Sequence, residues 1–290
     1  MLTISLIPDE KRALYQPLIP SHLQNAIVHS PHQWMVIGAE QGNQVAGIAL
    51  AHHMESLRAV VLHHLANTNI SSDPRKIGTL LLSQLTEESQ KRGAERIVYE
   101  CLTTARELHA HASLYEAVGW NPPEPSLHVW SGELRLLYEQ PWVKHNRFPD
   151  SFEVFSWAEL TREEREEIRQ GENVWYPADL SPFPDEEMID PRYSLGLRHL
   201  GKIAGWLIIQ PKSHDTALLK ILYVKRPFQR MGRGISLLAE FLQRTSRDHV
   251  FPYGIVVVEE QNKPMIHFIE SHCHTAVQDT KSVYRMEKLL

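Results

Sequence analysis

A strand-like run, a glycine-containing loop and a helical pattern follow one another without a break in residues 219–242 of this 290-residue chain. Apolar, β-branched residues up to Val224 predict a strand, and the leucine-rich pattern after Gly234 predicts an amphipathic helix. In the loop between them, Gly232 and Gly234 lack a Cβ, so a ligand can approach the backbone closely. The N–H groups at the start of a helix attract anions. We therefore expect this loop to bind a phosphate or a pyrophosphate.

The spacing of the loop excludes two common phosphate-binding motifs. The Gly-Lys-Ser/Thr ending of the P-loop is absent, and the third glycine or alanine of the dinucleotide fingerprint is replaced by Leu237. The segment Gln229 to Gly234 instead resembles the Gln/Arg-x-x-Gly-x-Gly/Ala signature of the GCN5-related N-acetyltransferases, the GNAT family. In that family the loop holds the pyrophosphate of acetyl-CoA. The resemblance implies acetyl-CoA as a co-substrate.

The resemblance also implies which residues contact CoA. In this family two neighbouring strands diverge, and CoA forms hydrogen bonds with the exposed backbone of one of them. An asparagine near CoA often begins the next helix. The expected cofactor-binding residues are accordingly Leu222, Tyr223, Val224, Gln229, Arg230, Met231, Gly232, Arg233, Gly234 and Asn262.

Two carboxylates follow the next apolar strand. Glu259 and Glu260 come directly after the apolar run from Gly254 to Val258. In this family a neutral amine attacks the thioester directly, so the ammonium proton needs an acceptor. A carboxylate beside the diverging strands would accept it directly or through water, and we expect Glu259 or Glu260 to be this base. The alternative is that the two charges mark where a buried strand reaches solvent.

The chain departs from the family at the residue that protonates the leaving thiolate. Counted from Asn262, the usual tyrosine position falls at Ile269, whose side chain cannot donate a proton. The nearby candidates to replace it are Tyr284, His267 and His272, and a proton from water is the further alternative. Tyr284 is thereby one of the expected catalytic residues.

The order of predicted elements repeats along the chain. Gly47 lies in Val-Ala-Gly-Ile-Ala-Leu, and Gly205 lies 158 residues later (205 − 47) in the similar Ile-Ala-Gly-Trp-Leu-Ile. Gly78 and Gly234 are 156 residues apart (234 − 78), and a Leu-Leu pair follows each at the same distance. Because the offsets nearly agree, we predict two tandem copies of one domain.

Each copy is expected to be a mixed α/β (α+β) domain. The family resemblance implies two tandem GNAT-like domains, each a twisted, mostly antiparallel sheet flanked by helices. The segment from Gln140 to Asp150 contains prolines and has no periodicity, which is typical of a linker. We place the N-terminal domain at residues 1–140, the linker at 141–150 and the C-terminal domain at 151–290. In the last of these, Thr161 is a candidate N-cap of a helix.

The first copy has lost most features of the anion-binding loop. Aligned on Gly78, it has Asp73 in the first position and Lys76 in place of the inner glycine, and Pro74 has no N–H to donate. We expect this copy to be degenerate and structural. Its Tyr115 occupies the family's acid position and would then serve in packing.

Composition restricts the class of partner. The net charge of −5 disfavours nucleic acid, and no apolar run approaches the roughly 18 residues of a membrane span. Cys101 and Cys273 are the two cysteines, and the N-terminus lacks the pattern of a secretory signal. The 17 histidines lack a zinc-motif spacing. We expect a cytoplasmic protein without a membrane, nucleic-acid or metal partner.

The expected function is an acetyl-CoA-dependent N-acetyltransferase that acts on an amine by direct attack in a ternary complex. The resemblance implies that the acceptor site lies near Trp175, Tyr176, Asp179 and Asp185, whose chemistry favours a cationic amine. The alternative is that these are ordinary solvent-exposed loop residues. The alternatives are a non-catalytic acyl-CoA-binding or regulatory module, and catalysis by the N-terminal domain. The sequence leaves the acceptor, the acyl chain length and the oligomeric state open.

Overall fold

The computed structural model describes residues 1–68, 70 and 73–290, without the side chains of residues 109–111. The chain forms two compact units, one of residues 1–127 and 281–290, the other of residues 128–280. Each unit contains a mostly antiparallel sheet with helices packed against it. The predicted fold class, two tandem mixed α/β domains, is confirmed.

The strands, in chain order, are β1 (Leu2–Leu6), β2 (Trp34–Gln41), β3 (Gln44–Met54), β4 (Ala59–Asn67), β5 (Arg96–Thr103), β6 (Glu124–Glu133), β7 (Phe152–Ser156), β8 (Leu195–His199), β9 (Lys202–Pro211), β10 (Thr216–Val224), β11 (Tyr253–Glu259) and β12 (Val277–Leu289). The α-helices are α1 (Ser21–His29), α2 (Pro74–Lys91), α3 (Ala105–Glu116), α4 (Pro141–Lys144), α5 (Arg162–Gly171), α6 (Arg226–Gln229), α7 (Arg233–Asp248) and α8 (Lys263–Phe268). Short 3₁₀ helices lie at Asp9–Leu18, Pro31–Gln33, Glu55–Leu57, Leu134–Leu137, Trp157–Glu159, Ala178–Leu180 and Glu186–Met188, and a π-helical turn at Ile269–Cys273.

In the first unit the strands lie in the order β1-β2-β3-β4-β5, and β12 pairs antiparallel with β5. Strands β4 and β5 are parallel neighbours. Helix α2 packs on the sheet through four buried residues at helical spacing, namely Ile77, Leu81, Leu82 and Leu85. Met286 of β12 is 1% exposed and belongs to the same core. The last strand of the chain therefore completes the first unit.

In the second unit the strands lie in the order β11-β10-β9-β8-β7, with β10 and β11 parallel and the other pairs antiparallel. Side chains alternate along β9, so Leu207 packs with helix α7 while Trp206 packs in an aromatic cluster on the other face. Thr161 caps helix α5, because its hydroxyl accepts a hydrogen bond from the Glu164 N–H, as predicted. This sheet is covered on both faces.

Strand pairing in the two units matches residue for residue. Parallel pairing in the first unit ends at Leu62 opposite Tyr99, and in the second unit at Leu219 opposite Val256. Both offsets are 157 residues (219 − 62 and 256 − 99). This value lies between the two offsets found in the sequence. The units are therefore two copies of one arrangement.

The boundaries of the units differ from the expected ones. Residues 141–150 were expected to form a linker, yet they begin with helix α4, whose Val143 is 1% exposed in the core of the second unit. Trp142 packs edge to face on Phe268, with ring centroids 5.2 Å apart. A proline at the first position of a helix is compatible with this packing because no N–H is required there. Residues 281–290, expected in the C-terminal domain, belong to the first unit because they pair with β5.

Replacing Met286 with alanine tests the place of the last strand. We expect Met286→Ala to lower the free energy of unfolding of the first unit by about 2–5 kcal/mol, the usual cost of a cavity in a core. Leu289→Ala, on the same strand at 73% exposure, is the matched control and should change it by less than about 0.5 kcal/mol. Urea unfolding measures both. Equal effects would show that β12 does not complete this core.

Candidate active site

Strands β10 and β11 of the second unit diverge. Their parallel pairing runs from Thr216 opposite Tyr253 to Leu219 opposite Val256 and then stops. Strand β10 continues to Val224, paired with β9 on its other side. One edge of β10 is thus left without a strand partner from Ile221 to Val224, within the described residues. An unpaired strand edge presents N–H and C=O groups to a ligand.

The loop after β10 ends in a helix N-terminus with exposed donors. Gly232 is the N-cap of α7 and has a φ of +70°, a left-handed conformation that glycine adopts at little cost. No side chain caps this helix, and the first N–H groups of any helix have no partner within it. The amide of Gln229 donates a hydrogen bond of 2.8 Å to the carbonyl of Val224 and fixes the loop against the strand end. The loop therefore has the geometry of an anion site.

A single cavity of about 1310 Å³ joins the strand edge to the loop. Eight of the ten residues expected to bind the cofactor line it, namely Leu222, Tyr223, Val224, Gln229, Arg230, Gly232, Gly234 and Asn262. Met231 and Arg233 do not. The Met231 side chain is exposed, and the Arg233 guanidinium lies 4.9 Å from the centre of the Phe152 ring.

The three residues expected to transfer protons are not among those that line this cavity. Glu259 is exposed at the end of β11, where it accepts a hydrogen bond from Gln261. Glu260 forms an ion pair with Lys263 and also contacts the His128 ring nitrogen Nε2, and burial lowers the pKa of His128. Tyr284 lies in the first unit, opposite Cys101, because β12 pairs there. Tyr284 therefore belongs to the first unit, and neither glutamate is in the wall of the cavity.

Aromatic side chains form another wall of the cavity. Trp175 and Tyr176 line it, as expected for an acceptor site, with ring centroids 4.9 Å apart. The Tyr223 hydroxyl donates a hydrogen bond of 2.6 Å to the carbonyl of Trp175, a role the sequence did not reveal. Burial raises the pKa of Tyr176 and of Tyr223, so both hydroxyls stay protonated at neutral pH. Asp179 is not among the lining residues, and Asp185 is paired with Lys220 at 2.9 Å.

The ammonium group of one of the chain's own lysines contacts the aromatic wall. Lys225 Nζ lies 3.9 Å from the centre of the Trp175 ring and 3.2 Å from a carboxylate oxygen of Glu167. This arrangement is a cation–π contact balanced by a carboxylate. Lys225 follows β10 directly, and only the fold places it against a tryptophan 50 residues earlier (225 − 175).

In the first unit, the helix that corresponds to α7 is α2, and its N-terminus is capped by one of the chain's own side chains. The Asp73 carboxylate caps α2 by accepting a hydrogen bond of 3.0 Å from the Lys76 N–H. Pro74 supplies no donor. Tyr115 is 4% exposed and stacks on Tyr99 with centroids 5.2 Å apart, and burial raises its pKa. In the first unit, therefore, Tyr115 is packed in the core, and the Asp73 carboxylate caps the N-terminus of α2.

Comparison with known proteins agrees with this geometry. Residues 154–274, which lie in the second unit, match the family model described as the acetyltransferase (GNAT) family. A comparison with curated protein sequences gave no significant match.

Solved structures resemble the chain over its whole length. A tandem GNAT protein of the clavulanic acid biosynthesis pathway superposes with a TM-score of 0.59 at 14% identity, covering 99% of this chain and 98% of that one. A GCN5-related N-acetyltransferase from Sphaerobacter thermophilus gives 0.58 at 15% identity, covering 100% and 96%. At identities this low, the superpositions show that the chain shares the fold of these tandem proteins and no more. None of the described helices is both long enough and apolar enough to span a bilayer.

A negative charge introduced at Gly234 should weaken CoA binding. A Cβ on Gly234 would lie 3.6 Å from Leu222, an ordinary contact, so alanine and aspartate both fit the backbone. We expect Gly234→Asp to weaken CoA binding about 100-fold, since like charges about 5–6 Å apart repel by about 3 kcal/mol at an effective dielectric constant of about 20. Gly234→Ala is the neutral control and should stay within about fivefold, a difference of about 1 kcal/mol. Isothermal titration with CoA measures both, and equal losses would mean that bulk rather than charge matters.

Proposed function

We propose that the second unit transfers an acetyl group from acetyl-CoA to an amine by direct attack in a ternary complex. The GNAT fold supports acyl-CoA-dependent transfer in general. The observation that carries the proposal is the position of an unpaired strand edge beside an uncapped helix N-terminus in one cavity. These are the two groups of backbone donors that a pantetheine arm and a pyrophosphate require.

The cofactor would be held mainly by backbone groups. The N–H groups at the start of α7 would bind the pyrophosphate, and the exposed Arg226 and Arg230 at the cavity would add positive charge. The pantetheine amides would pair with the β10 edge at Leu222 to Val224. Asn262 uses its carbonyl oxygen to cap α8 at Met265, so we assign its NH₂ group to CoA.

Positioning would supply most of the rate acceleration. The neutral amine attacks the thioester carbon, and a backbone N–H of β10 stabilises the oxyanion that develops. The carbon–sulfur bond then breaks, and the thiolate leaves as CoA. The described cavity wall contains no carboxylate, so we propose that water takes the ammonium proton and returns a proton to the thiolate. Ile269 is 4% exposed and cannot act as the acid.

The aromatic wall would bind a cationic acceptor. The face of Trp175 holds the Lys225 ammonium, which shows that its environment tolerates an alkylammonium group. Glu167 supplies the balancing charge. An acceptor that carries a second positive charge would compete with Lys225 for this ring while presenting its reactive amine to the thioester.

Thiol release from acetyl-CoA with a panel of mono- and diamines tests the proposal. We expect turnover by the wild-type protein, none by Gly234→Asp, and normal turnover by Lys76→Glu, which adds a carboxylate at the loop of the first unit. The reverse pattern would place catalysis in the first unit. Tight CoA binding without turnover on any amine would indicate a non-catalytic acyl-CoA-binding module.

The two glutamates should matter little to the chemical step. We expect Glu259→Gln and Glu260→Gln each to change kcat by less than about tenfold, because water is the proposed proton acceptor. Loss of a general base that acts directly would lower kcat by roughly 100- to 10,000-fold. Steady-state kinetics over a pH range from acidic to above neutral, where the amine becomes largely deprotonated, measures this. A larger loss that is confined to low pH would restore the glutamate as the base.

A further inference from the structure

A second cavity lies in the core of the same unit, between its sheet and helices α7 and α8. Its volume is about 80 Å³, and apolar side chains such as Leu219, Leu238 and Ile269 line it. Burial raises the pKa of Cys273 in this wall to about 12, so its thiol remains neutral. Since about 10–15 Å³ accommodates one water, this cavity has room for several carbon atoms. An apolar cavity of this size is an unfavourable place for water.

Helices α7 and α8 and strand β10 each contribute residues to the walls of both the cofactor cavity and this apolar cavity. On α7, Ile235 lines the first cavity and Leu238 the second, three residues apart on one helix face. Met265 of α8 lines both. On β10, Leu222 lines the first and Leu219 the second. The apolar cavity therefore borders the cofactor cavity, and Met265 stands in the wall between them.

A β-bulge explains how one strand serves both cavities. Residues an odd number apart on a regular strand point to opposite faces. The register of β10 against β9 shifts between Leu219 and Ile221, so Lys220 is the extra residue. As a result, Leu219 and Leu222 both pack with the helix α7 side, while Ile221 packs in the aromatic cluster on the other face. The bulge lies where pairing with β11 ends.

We infer that the second unit accepts acyl-CoA thioesters longer than acetyl, of about four to six carbons, with the chain in the apolar cavity. The inference rests on the proposed CoA site and deepens it. The thioester would lie where β10 and β11 diverge, and the chain would extend past Met265 towards Ile269. Ile269 stands at the family's usual tyrosine position and here provides an apolar wall.

Binding of a series of thioesters to the whole chain, without an acceptor, tests this. We expect affinity to rise from acetyl-CoA to butanoyl-CoA to hexanoyl-CoA, by up to about fourfold for each methylene that is buried. Equal or falling affinity along the series, with CoA itself still bound, would overturn the acyl-chain inference and leave the proposed function standing. Absence of binding by CoA itself would overturn both.

Two substitutions on one helical segment distinguish the effect of filling the cavity from the effect of disturbing the core. Ile269→Phe fills the cavity, and we expect it to abolish the preference for hexanoyl-CoA over acetyl-CoA while CoA affinity stays within about threefold, less than about 1 kcal/mol. Ile266→Phe is the matched control, since Ile266 is buried in the same core but does not line the cavity, and it should keep the preference. If both variants keep the preference, the chain does not lie in this cavity.

A variant with a larger cavity keeps the inference testable if Ile269→Phe does not fold. Ile269→Ala widens the cavity, so we expect it to shift the optimum to a longer chain, octanoyl-CoA over hexanoyl-CoA. An unchanged optimum in a variant that still binds CoA would overturn the inference.

Discussion

The site in the second unit depends on the place where two parallel strands stop pairing. Beyond Leu219 and Val256, β10 keeps one partner, and its other edge becomes available to a ligand. Helix α7 begins beside that edge without a side-chain cap, so backbone donors from strand and helix open into the same cavity. Because these donors belong to the backbone, the site requires few particular side chains. It does require a glycine at the left-handed Gly232 and a helix that leaves its first N–H groups free.

The first unit shows what happens when one of those requirements is lost. Its strands β4 and β5 diverge after Leu62 and Tyr99, in the same register. Its helix, however, begins with a proline and is capped by Asp73, so Pro74 offers no donor and the Lys76 N–H is already used. The strand divergence is therefore present in both units, whereas the helix that follows it is capped by a carboxylate in the first unit and has no side-chain cap in the second. The difference between the two units lies in a few residues of one loop.

Much of the lining of the large cavity could be predicted because the loop signature is local. Gln229 to Gly234 are contiguous, and Leu222 to Val224 directly precede them on the same strand. Residues whose role depends on distant contacts could not be predicted. Tyr284 was misplaced because nothing near it indicates that β12 pairs with β5 of the other unit. Lys225 and Trp175 meet through the fold alone. The segment 141–150 looked like a linker, although Val143 is buried and Trp142 and Phe148 pack against the same core.

Hydrogen exchange with and without CoA tests the central claim most directly, because it reports on individual backbone amides. The account predicts that CoA protects the amides at Leu222 to Val224 and at the start of α7, from Arg233 to Ile235. The matching amides of the first unit, at Leu65 to Asn67 and around Lys76, should be unchanged. Equal protection in both units, or protection in the first alone, would contradict the assignment of the cofactor site to the second unit.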